Sequence, residues 1–125
     1  MVETRTYPHG VTCWIDTEQP DPEAAARFYA GLFGWKLTDA VPADAPGSYL
    51  IATLDGQDVA AVAPADAGTP RWNTYVAVDD VDKVAAAVIA AGGTVVSEPA
   101  DAGPGGRAAG CLDPAGAGFG LWQAR

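Results

Sequence analysis

Few side chains here are suited to acid-base, nucleophilic or metal chemistry, and their spacing narrows the choice further. The sole histidine, His9, precedes the first strand-like run, and Cys13 stands four residues on. As a nucleophile Cys13 has only that imidazole to activate it, and His9 would have to fold back to serve as base. His9 with Asp16 or Glu18 is one conceivable set of metal donors, but three scattered polar groups near a terminus read as solvated rather than ligating. A divalent ion needs several imidazole or carboxylate donors converging at roughly 2.0–2.6 Å. Cys13 and Cys111 both fall in strand-like runs and read as buried thiols rather than a disulfide framework, although a bridge is possible if the two strands are neighbours. Arg107, beside a Gly- and Pro-rich stretch, either orients an anionic group on a ligand or is a solvated surface charge.

The elements that must position these groups come as a repeat. Val11-Thr-Cys-Trp-Ile-Asp-Thr leads into Asp21-Pro-Glu-Ala-Ala-Ala-Arg-Phe-Tyr-Ala-Gly-Leu-Phe-Gly, and Thr74-Tyr-Val-Ala-Val-Asp leads into Asp80-Val-Asp-Lys-Val-Ala-Ala-Ala-Val-Ile-Ala-Ala-Gly. Each copy reads strand, acidic cap, helix, glycine stop, and each continues into short strand-like runs. The duplication predicts an α+β fold of two βαβββ modules, about 8–63 and 71–125, facing one another around a cleft in a single domain of 125 residues.

In the first helix Asp21 is the cap, Pro22 suits the first turn, and Ala25, Phe28, Tyr29, Leu32 and Phe33 form the apolar stripe before Gly34. Asp80 caps the second, with Val81, Val84, Ala85 and Val88 as stripe, Asp82 favourably placed near the positive end of the dipole, and Gly92-Gly93 as terminator. Strands are predicted at 35–38, 49–54 and 58–63, the last two joined by an Asp55-Gly56 hairpin turn, and at 94–96, 107–112 and 119–123. The stretch 39–47 reads as an exposed loop and 64–70 as the connection between modules. Ser97 to Gly106, with two prolines and three glycines, reads as an irregular loop able to close over a cleft, and Asp113-Pro-Ala-Gly as a turn.

Composition excludes several classes of partner. The net charge is −9 and the seven Lys and Arg residues form no basic stripe, so nucleic acid is not an expected partner. No apolar run approaches the roughly 20 residues that span a bilayer, and the first residues do not resemble a signal peptide, so no membrane partner and a cytoplasmic location are expected.

The Phe28-Tyr29 helix, Leu32-Phe33-Gly34-Trp35 and Asp113-Pro-Ala-Gly before a final strand together resemble the vicinal oxygen chelate superfamily of glyoxalase, bleomycin-resistance and extradiol dioxygenase proteins. The resemblance covers nearly the whole chain and is strongest to a glyoxalase-like branch often built of two such domains in tandem. It implies four metal-ligand positions lining the cleft, usually His, Gln or Glu. Counting from Asp21, Asp80 and Asp113 places three of them at Trp14, Asn73 and Gly120, and the fourth near Val62. None is a good ligand, so no metal and no cofactor are expected.

Strand alternation groups Thr12, Trp14 and Asp16 on one face, Asn73, Tyr75 and Ala77 on another, and Gly118, Gly120 and Trp122 on a third, all cleft-facing if the family positions are. Aromatic rings beside a glycine void suit a flat apolar ligand. The expected function is metal-independent binding of a small aromatic or hydrophobic molecule, with Thr12, Trp14, Tyr49, Asn73, Tyr75, Arg107, Gly120 and Trp122 as candidate contacts, while Trp35 is read as core. The alternative is an enzyme of the fold, a lyase, isomerase or dioxygenase-like catalyst, with Asp16 or Tyr75 in acid-base roles. A two-fold symmetric homodimer is expected as well.

Overall fold

The computed structural model describes residues 7–65 and 69–125. Among them the element order is β1 (Thr12–Gln19), α1 (Pro22–Phe33), β2 (Lys36–Asp39), β3 (Leu50–Leu54), β4 (Gln57–Pro64), β5 (Arg71–Ala77), α2 (Val81–Ala90), β6 (Thr94–Asp101), a 3₁₀ turn at Gly103–Gly105, β7 (Gly106–Leu112) and β8 (Gly118–Ala124). The chain divides into two compact units whose boundaries fall inside β1 and β5. Ile15–Trp72 form the first, and residues 7–14 with Asn73–Arg125 form the second. Each unit has the βαβββ order that the repeat predicts, in an α+β fold.

In the first unit the strand order is β2-β3-β4-β1, with β1 parallel to β4 and the other pairs antiparallel. The Asp55-Gly56 turn between β3 and β4 has positive φ at both residues, 51° and 78°, as a tight two-residue hairpin requires. Asp21 caps α1 by accepting the Ala24 N–H at 3.1 Å, and Gly34 ends the helix in the left-handed region at φ 72°.

In the second unit the order is β5-β8-β7-β6, with β5 parallel to β8. Asp80 caps α2 through the Lys83 N–H, and the Val81 N–H donates to the Gln123 side chain at 2.8 Å. One face of this sheet packs on α2: Val78, Val81, Ala85, Ala109, Cys111 and Leu121 form a buried core, flanked by Val84, Val88, Val95 and Phe119. Close approach is possible because these side chains are small. At the helix exit a β-carbon on Gly93 would meet the Leu112 carbonyl oxygen at 2.7 Å.

Three expectations are corrected. The stretch Ser97 to Gly106 is largely strand: β6 runs to Asp101 and pairs with β7 through Ala100↔Ala108 and Asp101↔Arg107. Pro99 is accommodated because β6 is the outermost strand of its unit and the register shifts between Ser97 and Ala100, which removes the need for its missing N–H. The tip is pinned by Arg125, whose N–H donates to Gly105 O and whose guanidinium reaches Gly103 O and Asp101. Second, the α1 stripe is only partly covered: Ala25 and Tyr29 are half-buried, Phe28, Leu32 and Phe33 are exposed, and no residue of α1 is fully buried. Third, Trp35 is only half-buried and belongs to an aromatic cluster with Tyr29 and Phe33 at centroid distances of 5.8 and 5.2 Å. The connection predicted at 64–70 falls partly on 66–68, outside the described residues.

Candidate functional site

In the second unit, Leu121, Ala109 and Cys111 point toward α2, so alternation sends Gly120, Trp122, Gly110 and Ala108 to the opposite, helix-free face. The register there builds two rows. Tyr75, Gly120, Gly110 and Ser97 lie side by side across β5, β8, β7 and β6, and Ala77, Trp122, Ala108 and Ala100 form the next row. The floor is thus glycine, alanine and serine, and the rings lie over it. A β-carbon on Gly120 would come within 2.5 Å of Tyr75 Cε2 and closer still to Cδ2, so the Tyr75 ring occupies the space a side chain at 120 would fill. Trp122 also reaches over the neighbouring strand: its Cζ2 lies 2.9 Å from where a Gly106 β-carbon would stand, with the Gln123 carbonyl oxygen nearer still at 2.3 Å. Gly120 therefore opens no void, contrary to the expectation from its sequence position; it is the seat of Tyr75. Trp14, Asn73 and Tyr75 are half-buried, and Thr12 is exposed.

In the first unit the helix-free face carries Asp16. Its register partner is Ala61 on β4, which pairs in turn with Ile51 on β3, two residues beyond Tyr49. The Tyr49 hydroxyl donates to Asp16 Oδ2 at 2.9 Å, and the carboxylate is only 4% exposed. Tyr49 is delivered by the loop after β2, which Asp39 closes by accepting the N–H groups of Val41 and Tyr49 at 3.0 and 3.1 Å. Sequence alternation supplies Asp16 and Tyr49 as separate candidates; their contact depends on a loop closure that periodicity does not encode. On the opposite face, buried Thr17 donates to the Arg71 carbonyl at 2.8 Å and accepts from Gln19 at 2.8 Å.

Other candidates are committed elsewhere. Arg107 Nη2 holds both Asp82 oxygens at 3.0 and 3.1 Å and Nη1 holds Asp101 at 3.1 Å; these partners raise its pKa. Because Asp82 is on α2, this guanidinium lies toward the helix rather than on the face of Tyr75 and Trp122. His9 Nδ1 accepts the Asp79 N–H at 3.0 Å. Cys13 and Cys111 are free thiols, and burial pushes both up in pKa, the reverse of what a nucleophilic thiolate needs.

Residues 13–122 match the family model described as "Glyoxalase-like domain", and the chain belongs to that family, within the vicinal oxygen chelate superfamily. It is 43% identical over 129 residues to the protein named "Putative glyoxylase CFP32" of Mycobacterium bovis, covering 99% of this chain and 49% of that protein. It is 39% identical over 136 residues to the "Anthracycline biosynthesis protein DnrV" of Streptomyces peucetius, covering 96% and 49%. The chain thus spans about half the length of the curated relatives it matches. Among solved structures, the Mn(II)-bound glyoxalase from Novosphingobium aromaticivorans is similar with a TM-score of 0.60 and 29% identity, covering 92% of this chain and 39% of that one. The Streptomyces coelicolor methylmalonyl-CoA epimerase (Q60A) shares the fold at TM-score 0.66 and 20% identity, covering 94% and 99%.

The family implies a metal, and the residues at the positions it implies do not fit one. Gly120 has no donor and lies under the Tyr75 ring; Trp14 and Asn73 offer an indole and an amide. Val62 is fully buried and is the register partner of Thr17, so it lies on the α1 side and Ala61 takes the place expected of it beside Asp16. Among the described residues no group of three His, Cys, Asp or Glu is arranged to hold an ion. No helix among them is long and apolar enough to cross a membrane.

Proposed function

We propose that the chain binds a small planar aromatic or otherwise hydrophobic molecule without a metal, as a sequestration or resistance protein does. The observation that carries this reading is the Tyr75 ring seated on Gly120, at the position where the family's metal donor is expected. A ring on a floor of glycine and alanine offers a π-face and apolar walls, which suit a flat ligand better than a cation. Trp122 supplies a second ring, and Thr12, Trp14 and Asn73 supply edges and hydrogen-bonding groups. The kinship with an anthracycline biosynthesis protein supports a fused-ring ligand, since anthracyclines are planar polycyclic compounds. The test is a tryptophan fluorescence titration of untagged, chelator-treated protein against fused-ring and single-ring aromatics. A saturable response that Tyr75→Ala abolishes is expected. Silence with every compound, or a response only after a divalent metal is restored, overturns the reading.

One observation in the first unit favours a second reading, catalysis on a small metabolite: a carboxylate as secluded as Asp16, hydrogen-bonded by the Tyr49 phenol, has the groups that acid-base chemistry uses. Relatives named as glyoxylase and glyoxalase support it. On this reading Asp16→Asn loses turnover while ligand affinity is retained; turnover that survives the substitution removes Asp16 from the chemistry.

A further inference from the structure

We propose that residues 40–48 form a lid over the Asp16 carboxylate, with the Tyr49 phenol as its latch, and that a ligand bearing a hydroxyl on an aromatic ring opens it by taking the phenol's place. The inference rests on the reading that sets a small metabolite on Asp16, and it names the group such a ligand presents. Asp16 is 4% exposed and accepts the Tyr49 hydroxyl at 2.9 Å. Asp16 is on β1 and Tyr49 enters β3, with β4 between them. The two side chains together therefore bridge two inter-strand spacings, roughly 10 Å of sheet. Tyr49 itself lies outside the ladder, whose end pairs are Asp39↔Leu50 and Leu50↔Val62, so its ring can be withdrawn without unpairing a strand.

The loop is built to move as one piece about its ends. Its body, Pro42 to Gly47, is exposed, whereas Val41 and Ser48 are half-buried. Pro42 and Pro46 fix their backbone φ and stiffen the body, and Gly47, just before the latch, has φ 87° in the left-handed region. A small clasp holds the ends together. Asp39 Oδ1 accepts the Val41 and Tyr49 N–H groups at 3.0 and 3.1 Å, and the Ala40 N–H donates to the Tyr49 carbonyl at 2.8 Å. Both bonds to Asp39 are exposed. Solvent-exposed hydrogen bonds and few buried apolar contacts mark the segments that open most readily. The latch also defines the ligand. The secluded carboxylate already holds a phenolic O–H, so a ligand's aromatic hydroxyl satisfies it once Tyr49 swings away, whereas a bare ring leaves it short of that bond.

The test is an amide chemical-shift titration of the full chain, read at positions 16 and 49, with 4-methylphenol, which is the tyrosine side chain itself, and with toluene, the same ring without the hydroxyl. The wild type is expected to prefer 4-methylphenol by about 10-fold, the worth of one hydrogen bond. Asp16→Asn should leave 4-methylphenol binding nearly unchanged, because one phenol replaces another on the same acceptor. It should strengthen toluene binding several-fold, because the bond that toluene breaks is weaker to a neutral acceptor. Opening the lid by mutation should raise the affinity for both rings, by about 10-fold in Tyr49→Phe and by several-fold in Asp39→Ala. A purely structural Tyr49–Asp16 bond predicts the opposite sign, weaker binding in both variants. If Asp39→Ala does not fold, Tyr49→Phe decides alone. A hydroxyl preference that depends on Asp16, with no gain in Tyr49→Phe, overturns the lid and leaves the ligand on Asp16. Equal affinities for the two rings in the wild type, or binding of neither, overturn both.

Discussion

Helices α1 and α2 hold the same place in the two βαβββ units, start on an aspartate cap and stop beside a glycine, yet they use their apolar faces differently. Val81 of α2 is fully buried and Ala85 nearly so, packed on Ala109, Cys111 and Leu121, whereas α1 buries no residue and leaves Phe28, Leu32 and Phe33 in solvent. The difference lies in side-chain size. Valine and alanine let α2 settle on a sheet of equally small residues, while the aromatic rings of α1 pack against one another and against Trp35 and Trp72. A repeated cap and stripe therefore specify a helix twice without specifying what covers it. The helix-free faces diverge too: one carries rings over glycine, the other a secluded carboxylate under a tyrosine.

The contrast between the helices is tested most strongly by two leucine truncations followed by chemical denaturation. Leu121→Ala empties a site that is 2% exposed and should cost about 2–5 kcal/mol. Leu32→Ala, at a side chain that is 57% exposed, should change stability by no more than about 0.5 kcal/mol. Equal losses would mean that α1 is as well buried as α2 and would erase the comparison.

The helix-free face of the second unit is sharpened by Gly120→Ala, whose new methyl must displace the Tyr75 ring. Overpacking of this kind costs about 1–3 kcal/mol. Combining it with Tyr75→Ala should recover most of the loss, giving a coupling energy of about 0.5–3 kcal/mol in a double-mutant cycle. Additive effects would show that the two residues do not share space.

In the first unit, Tyr49→Phe removes the hydroxyl that donates to Asp16 and should destabilise by about 1–3 kcal/mol. No loss in thermal unfolding would mean that the contact does not persist in solution.

The smallest effect is expected at Asp101. Hydrogen bonds from Arg107 and Arg125 hold its carboxyl below the usual carboxylate range. The stability it contributes is then present above the ordinary carboxylate pKa and lost as pH falls through its lowered folded value. Asp101→Asn should slightly lower Tm at neutral pH and leave it unchanged in strong acid. Because the group is fully exposed, salt should erase most of the difference.

The parts of the fold that local chemistry encodes were legible. Asp21, Asp80 and Gly34 act as helix signals, Asp55-Gly56 turns a hairpin, and Asp113 accepts the N–H groups of Ala115 and Ala117 in the predicted turn. What depends on pairing between distant strands was not. The register that gives Ala61 rather than Val62 to the face of Asp16 differs by a single residue, and one residue reverses a strand's faces. The strand through Pro99 hid behind turn-forming residues, because its register shifts are set by β7. Nor does sequence reveal that Tyr75 fills the space above Gly120; the alternating glycines of β7 and β8 mark a close approach there but not what approaches.

Elemental analysis of the intact chain, purified without an affinity tag and without chelator, tests the metal-free account most directly. It predicts far less than one equivalent of any transition metal per chain, with the aromatic ligand still bound by that same sample. One equivalent of manganese, nickel, zinc or iron, retained by wild-type protein and lost in an Asp16→Asn or Asn73→Ala variant, would contradict it.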